Sequence, residues 1–386
     1  MRRVFLIALF CAVFICSSVI AQTSILYEPE VQTEAKAGLE ALYDLRFEEA
    51  ESHFQKITQR YADHPIGPFL EALTLWWTIL LDLTDTSNDK EFFAAMGEVI
   101  DRSEARLEID ARDFDAMFFK GIALGFRGRL RSNRRDWIRA AADGKRAMDY
   151  VLAVAAADST NDDFVLGRGL YRYYAALIPE RYPFIRPITM FLPPGDREGG
   201  LAELRRTATE GYYMQTEAIY FLLQINYLYE GNFQECVRLV RWLREKYPGN
   251  AFFHALEGRI YAHWYQWQAA ETVFTEVLEL YTAQEVGYTP AMAEQALYFL
   301  ARARILSGDE RAALANLLSL EALTARLDED AYFKVMRRLY QGMAYDLLGE
   351  RENAIARYES VLAMKRWGSS HSSARRYLRN PYPAVE

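Results

Sequence analysis

Apolar residues recur at helical spacing along nearly the whole chain, and they do so in paired blocks. Phe69, Leu73, Trp76, Trp77 and Leu80 fall on one face of a helix, Phe92, Phe93, Met96, Val99 and Ile100 on one face of a partner, with "DTSND" as the turn between them. "FDAMFFKGIALGFRG", "RRDWIRAAADGKRAMDYVLAV" and "DDFVLGRGLYRYYAAL" give three more helices. One stretch departs from this pattern. In "YPFIRPITMFLPPGDREGG", Tyr182 to Gly200, prolines crowd among Phe184, Ile185, Ile188, Met190, Phe191 and Leu192. It holds too much proline for a helix and too much apolar surface for a solvated loop. The pattern predicts an insertion near 179–196 between the two helices of one pair. Asp196 caps the second helix, and Pro179, Pro183 and Pro187 enforce an extended path. The apolar side chains of 184–192 then need cover, from the helices themselves, from a partner or from a membrane surface.

The C-terminal half repeats one register. In "EAIYFLLQINYLYEGNFQECVRLVRWLREKYPGN" (217–250), Tyr220, Leu223, Tyr227, Gly231, Phe233, Cys236 and Pro248 stand at fixed offsets, and the next block follows 34 residues on with Gly258, Tyr261, Trp267, Ala270, Phe274 and Val277. Two further copies carry Gly308, Ala313 and Leu317, then Gly342, Tyr345, Gly349, Ala354 and Tyr358. A fifth, with Gly38, Phe47, Ala50 and Phe54, lies near the N-terminus. This scheme of small residue, aromatic, alanine and aromatic resembles the tetratricopeptide repeat. In such a unit the small residue lets two antiparallel helices approach, a large aromatic fills the gap, and apolar stripes are buried by stacking neighbours. Caps agree: Asn250 precedes "AFFHALEG", Thr289 with Pro290 opens another helix, and Gly231, Gly308 and Gly349 sit between paired helices. The reading is all-α, one tetratricopeptide-like α-solenoid of about eight antiparallel pairs over 22–386. It is degenerate over 22–200 and clearer over 201–366, with a short basic tail at 367–386.

At 386 residues, 51% hydrophobic and 25% charged, the chain has ample material for a large core. Residues 1–21 read as a secretory signal: Arg2 and Arg3 start it, Val4 to Cys16 is apolar, and Val19-Ile20-Ala21 precedes a cut before Gln22. The protein is then exported, to a periplasm or to the medium. An uncleaved N-terminal membrane anchor is the second reading, because Val4 to Ile20 is barely long enough to span a bilayer. Removing the segment takes away two arginines and no acid, leaving 43 basic against 53 acidic residues, a net −10 that disfavours nucleic acid. Cys236 is then the single thiol, so no internal disulfide forms.

The middle segment carries a further resemblance. "GFRGRLRSNRRDWIRAAADGKRAMDYV", "GRGLYRYYAALIP" and "GDREGGLAELRRTATEGYYMQTEAIYFLLQI", in that order, are similar to a group of exported bacterial tetratricopeptide proteins. More distantly, the order resembles the eukaryotic tetratricopeptide repeat 39 and inclusion-body clearance family. The resemblance implies a non-enzymatic adaptor and carries over no catalytic residue.

Chemistry is sparse. His53, His64, His254, His263 and His371 show no metal-ligand spacing, and read as packed or surface histidines. In the acidic turn Asp82 to Glu91, Lys90 and Met96 stand where a calcium loop needs glycine and a bidentate acid, so helix capping by Ser87 or Asn88 fits better. No hydrolase elbow or phosphate-cradling loop occurs, and no cofactor is called for. Arg127, Arg129, Arg131, Arg134, Arg135 and Arg139 cluster within 13 residues. Arg129, Arg131 and Arg135 are candidates for holding an anion, against a plainer reading in which the arginines pair with acids of neighbouring units. On the concave face, the repeat register selects Phe221, Tyr229, Arg259, His263, Tyr298 and Arg302 as candidates for binding a protein or peptide partner, against ordinary repeat packing for each aromatic. Two functions follow. One is a scaffold gripping a protein segment along the groove. The other is a small-ligand or glycan receptor with an aromatic and arginine pocket beside the proline-rich insertion.

Overall fold

The computed structural model describes residues 24–181, 183, 193–325 and 331–383. The signal-like segment 1–21 and the apolar stretch 184–192 lie outside the described residues. The described chain is all-helical, without a strand. Its helices are α1 (Pro29–Tyr43), α2 (Phe47–Arg60), α3 (Ile66–Leu81), α4 (Asp89–Ile109), α5 (Phe114–Asn133), α6 (Trp137–Ala157), α7 (Leu166–Arg181), α8 (Arg197–Glu210) and α9 (Gln215–Ile225). A π-helical turn, Asn226–Glu230, extends α9. Next come α10 (Phe233–Lys246), α11 (Ala251–His263), α12 (Trp267–Thr282), α13 (Pro290–Ser307), α14 (Glu310–Thr324), α15 (Tyr332–Leu347), α16 (Arg351–Leu362) and α17 (Ser370–Arg379). They form eight antiparallel pairs and a closing helix, and first helices of successive pairs touch, α1 on α3, α3 on α5, α11 on α13 and α13 on α15. This is a tetratricopeptide-like α-solenoid.

Pair geometry follows the small-to-aromatic rule. A Cβ on Gly258 would stand 2.8 Å from Phe274 Cζ, and Gly38 faces Phe54, and Gly342 faces Tyr358, in the same way. The expected caps are in place: Asp196 accepts from the Gly199 N–H at 2.9 Å and Asn250 from the Phe253 N–H at 3.0 Å. The turn between paired helices puts one residue in left-handed conformation two places before the second helix. Gly231, Gly308 and Gly349 do so in three pairs, and Leu45, Arg135 and Tyr265 in three others. Two expectations need correction. Pro179 lies inside the last turn of α7 rather than in an extended path, where its ring removes only one helical N–H. The tail at 367–386 contains α17, held by Arg351 donating to the Tyr377 and Leu378 carbonyls at 2.9 and 2.7 Å.

The array closes on itself. One core runs from Leu26 to Leu300, and a second joins the last pairs to α17. Across the closure, Asn250 Nδ2 donates to the Tyr43 carbonyl at 2.5 Å, the Gly249 N–H to Asp44 at 2.8 Å, and Thr289 Oγ1 to the Leu81 carbonyl at 3.2 Å. Trp77 sets its ring edge-on to Phe253 at 5.5 Å and to Tyr43 at 5.4 Å. Gly287, at φ +84°, has no side chain to block Leu45. Helices α1 and α3 therefore occupy the concave face that α9 and α11 would otherwise present. Cys236 is fully buried, and desolvation pushes its thiol up to about 12, which suits a packing residue rather than a nucleophile.

Candidate functional site

Between α5, α6, α7 and α9 lies a cavity of about 770 Å³ that opens to the outside. Its origin is glycine. Gly121 and Gly128 bring α5 against Tyr150 and Asp143 of α6, and Gly167 brings α7 against Val151, so the backbones approach closely while side-chain volume is missing above them. A Cβ at Gly125 or Gly144, both on the cavity wall, would meet nothing within 4 Å. The walls are mostly apolar, with Phe118, Ile122, Val151 and Leu170 among them, and the proline-rich insertion leaves and rejoins the fold at the rim through Pro179 and Pro193–Gly195.

Polar groups gather where α5 meets α9. Arg129 projects from α5 between three rings, its guanidinium carbon 4.8 Å from the centre of Trp76, 5.3 Å from Tyr220 and 4.9 Å from Phe221. Glu217, in the first turn of α9, is 5% exposed. Neither of its oxygens meets a donor in hydrogen-bond geometry, nor does Arg129 Nη1 meet an acceptor. Desolvation raises the Glu217 carboxyl above the usual range, only partly offset by Arg129 and by the nearby Tyr43 hydroxyl. Tyr174, Gln224 and Tyr229 complete this end, with Tyr174 edge-on to Tyr229 at 6.0 Å and Gln224 donating to Tyr220 Oη at 2.7 Å. Asp163 lines the cavity too, but its carboxylate is committed to the backbone of Tyr213 and Met214 before α9, at 3.1 and 2.9 Å.

The sequence candidates separate accordingly. Arg129, Phe221 and Tyr229 converge on this cavity from three elements. Arg131 does not reach it: together with Arg127, which grips Asp143 by two bonds at 2.9 and 2.7 Å, it neutralises that buried acid. Arg135 is exposed in its left-handed turn. Arg259 is enclosed against Phe252 at 5.7 Å, with desolvation lowering its pKa, because the concave face around it is filled. Tyr298 is fully buried under Arg302, which also covers Trp267 at 4.8 Å, and His263 is exposed beside Tyr227 at the loop edge. The acidic turn holds Arg134, bidentate to Asp89 at 2.6 and 2.7 Å, and the expected side-chain cap by Asn88 does not form. The other histidines are packed: His53 pairs with Glu34, His64 with Asp115, His254 with Tyr288, and His371 with the Met364 carbonyl. Among the described residues no three His, Cys, Asp or Glu stand close enough for a metal ion, and no helix is long and apolar enough to cross a membrane. Sequence reasoning missed Glu217, whose signal was an acid placed in the apolar run "EAIYFLLQI".

Fold and cavity define a helical-repeat protein whose first pairs pack back on its sixth and seventh, with a separate pocket between α5, α6, α7 and α9. No family model matches the chain, and no curated protein matches its sequence. Several solved structures are similar at low identity, three of which follow. Yeast Tom70 is 12% identical with a TM-score of 0.37, over 82% of this chain and 63% of its own. A monomeric IFIT1 mutant with m7Gppp-AAAA is 13% identical at 0.40, over 90% and 73%. The Naa15/Naa10 complex bound to HypK-THB is 13% identical at 0.34, over 92% and 64%. The chain thus spans less than two thirds of the first and third.

Proposed function

We propose that this is a non-enzymatic binding protein whose site is the cavity between α5, α6, α7 and α9, and that its ligand is a small, largely apolar molecule. The observation that carries this is the largely apolar cavity ending in half-buried Arg129 and buried Glu217, two polar side chains with unmet hydrogen-bonding capacity. The volume lies within the ordinary range for small-molecule pockets, and a few convergent polar groups are what orient a ligand there. A Gly125→Phe variant tests it, because its side chain enters open cavity. Single-chain amphiphiles are expected to raise the melting temperature of the parent protein by several degrees and to leave the folded variant unmoved. Equal stabilisation of both, or of neither, overturns the reading.

The basic, apolar and small-residue order of residues 1–21 supports export. Sequencing the N-terminus of the protein made in its own cell is expected to start at Gln22. A full-length chain in the membrane fraction instead means an anchor. A second functional reading, a protein-binding scaffold, is favoured by one surface. Leu228, Tyr265 (75% exposed) and Leu306 line up at the ends of α9, α11 and α13. Peptide-array binding that Tyr265→Ser abolishes, with no amphiphile effect on melting, selects it.

A further inference from the structure

We infer that the cavity's ligand carries a carboxylate, held by Arg129 with the Glu217 side chain beside it. This rests on the cavity being the binding site. Arg129 is half-buried, with Nη1 sealed from solvent and lacking an acceptor, and a guanidinium nitrogen taken out of water ordinarily finds an anionic or carbonyl partner. Among the described residues Arg129 forms no salt bridge, and its neighbours are the faces of Trp76, Tyr220 and Phe221. Those rings favour a cation, and the Tyr220 hydroxyl lies beside it, but Nη1 is left without an acceptor. Glu217 is the carboxyl on the same wall, and burial biases it to the protonated form. A neutral acid beside an unpaired arginine is matched by one incoming anion: the guanidinium supplies charge and forked donors, the acid one O–H. Tyr174 and Gln224 also line the cavity, and much of the rest of its wall, Ile122, Val151 and Leu170 among it, suits hydrocarbon. The assigned class is therefore a carboxylate with one apolar chain. A phosphate monoester shares the charge but brings a second ionisation that one arginine does not balance.

Calorimetric titration of the full chain with palmitate, palmityl alcohol, methyl palmitate and dodecyl phosphate tests this. Palmitate is expected to bind the parent protein about tenfold to a hundredfold more tightly than the alcohol and ester, the usual range for a charge-assisted hydrogen bond. Arg129→Gln is expected to remove that preference while the neutral ligands bind as before, and Arg129→Lys to restore part of it. Glu217→Gln, which keeps a neutral donor, is expected to hold palmitate within a few-fold. The inference is overturned if all ligands bind the parent equally, if Arg129→Gln weakens all of them alike, or if dodecyl phosphate binds more tightly than palmitate. It is also overturned if the preference follows Lys145→Gln at the rim. In each of those cases binding that Gly125→Phe abolishes keeps the cavity as the site. Binding that survives Gly125→Phe removes the site itself.

Discussion

Replacing Trp77 by alanine is expected to cost about 4 kcal/mol of stability, the range for deleting a buried tryptophan. Its ring is 1% exposed and touches Tyr43 of the first pair and Phe252 and Phe253 of the sixth, so it joins the start of the array to its sixth pair. Its indole N–H has no acceptor. Trp77→Phe therefore removes an unmet donor together with some volume, and is expected to cost no more than about 2 kcal/mol. Equilibrium unfolding in urea checks both. The alanine variant is also expected to unfold over a broader transition with a lower m value, because pairs one and two no longer unfold together with pairs five to seven. A cost below about 1 kcal/mol, with cooperativity intact, would mean that the closure is incidental to the fold.

This closure is also where sequence reasoning stopped. The helices, their pairing, the Asp196 and Asn250 caps and the Gly258 to Phe274 spacing were legible because each depends on residues within one repeat. That α3 fills the concave face was not, because it depends on how much each pair rotates against the next, a small angle summed over several pairs. An open groove made Arg259 and Tyr298 look available, whereas Arg259 is enclosed against Phe252 of the closure and Tyr298 is buried by the next pair, under Tyr332, Phe333 and Tyr340. The excess apolar content of "IGPFLEALTLWWTILL" was the trace of this in the sequence: α3 is buried on nearly all sides, whereas a peripheral helix needs only one apolar stripe. Left-handed turns were missed for a different reason. Leu45, Arg135 and Tyr265 occupy a place where glycine is the expected signal, and the surrounding pair imposes the conformation despite the side chain. The cavity itself was half legible. Arg129 and the adjoining proline-rich insertion stood out in the sequence, but the glycines that open the cavity did not, and the meeting of Arg129 with Glu217 needs the side chains of α5 and α9 brought together.

The rule that small and aromatic residues alternate predicts a reversal of sign at Gly258. In the parent protein a methyl group there would lie within 2.9 Å of three atoms of the Phe274 ring. The ring has nowhere to retreat, because Phe299 is stacked flat on it at 4.9 Å with an interplanar angle of 7°. Gly258→Ala is therefore expected to destabilise by about 2 kcal/mol, overpacking outweighing the gain of roughly 1 kcal/mol from replacing glycine within a helix. Phe274→Ala alone is expected to cost about 4 kcal/mol through the cavity it leaves. In that background the new methyl group meets open space, so Gly258→Ala becomes stabilising by about 1 kcal/mol. Urea unfolding of the two single variants and the double variant yields a coupling near 3 kcal/mol, large for one side-chain pair. Additive effects would instead mean that α11 and α12 shift apart to admit the methyl group. Helix approach would then be set by the rest of the interface, and Gly258 would matter for its flexibility alone.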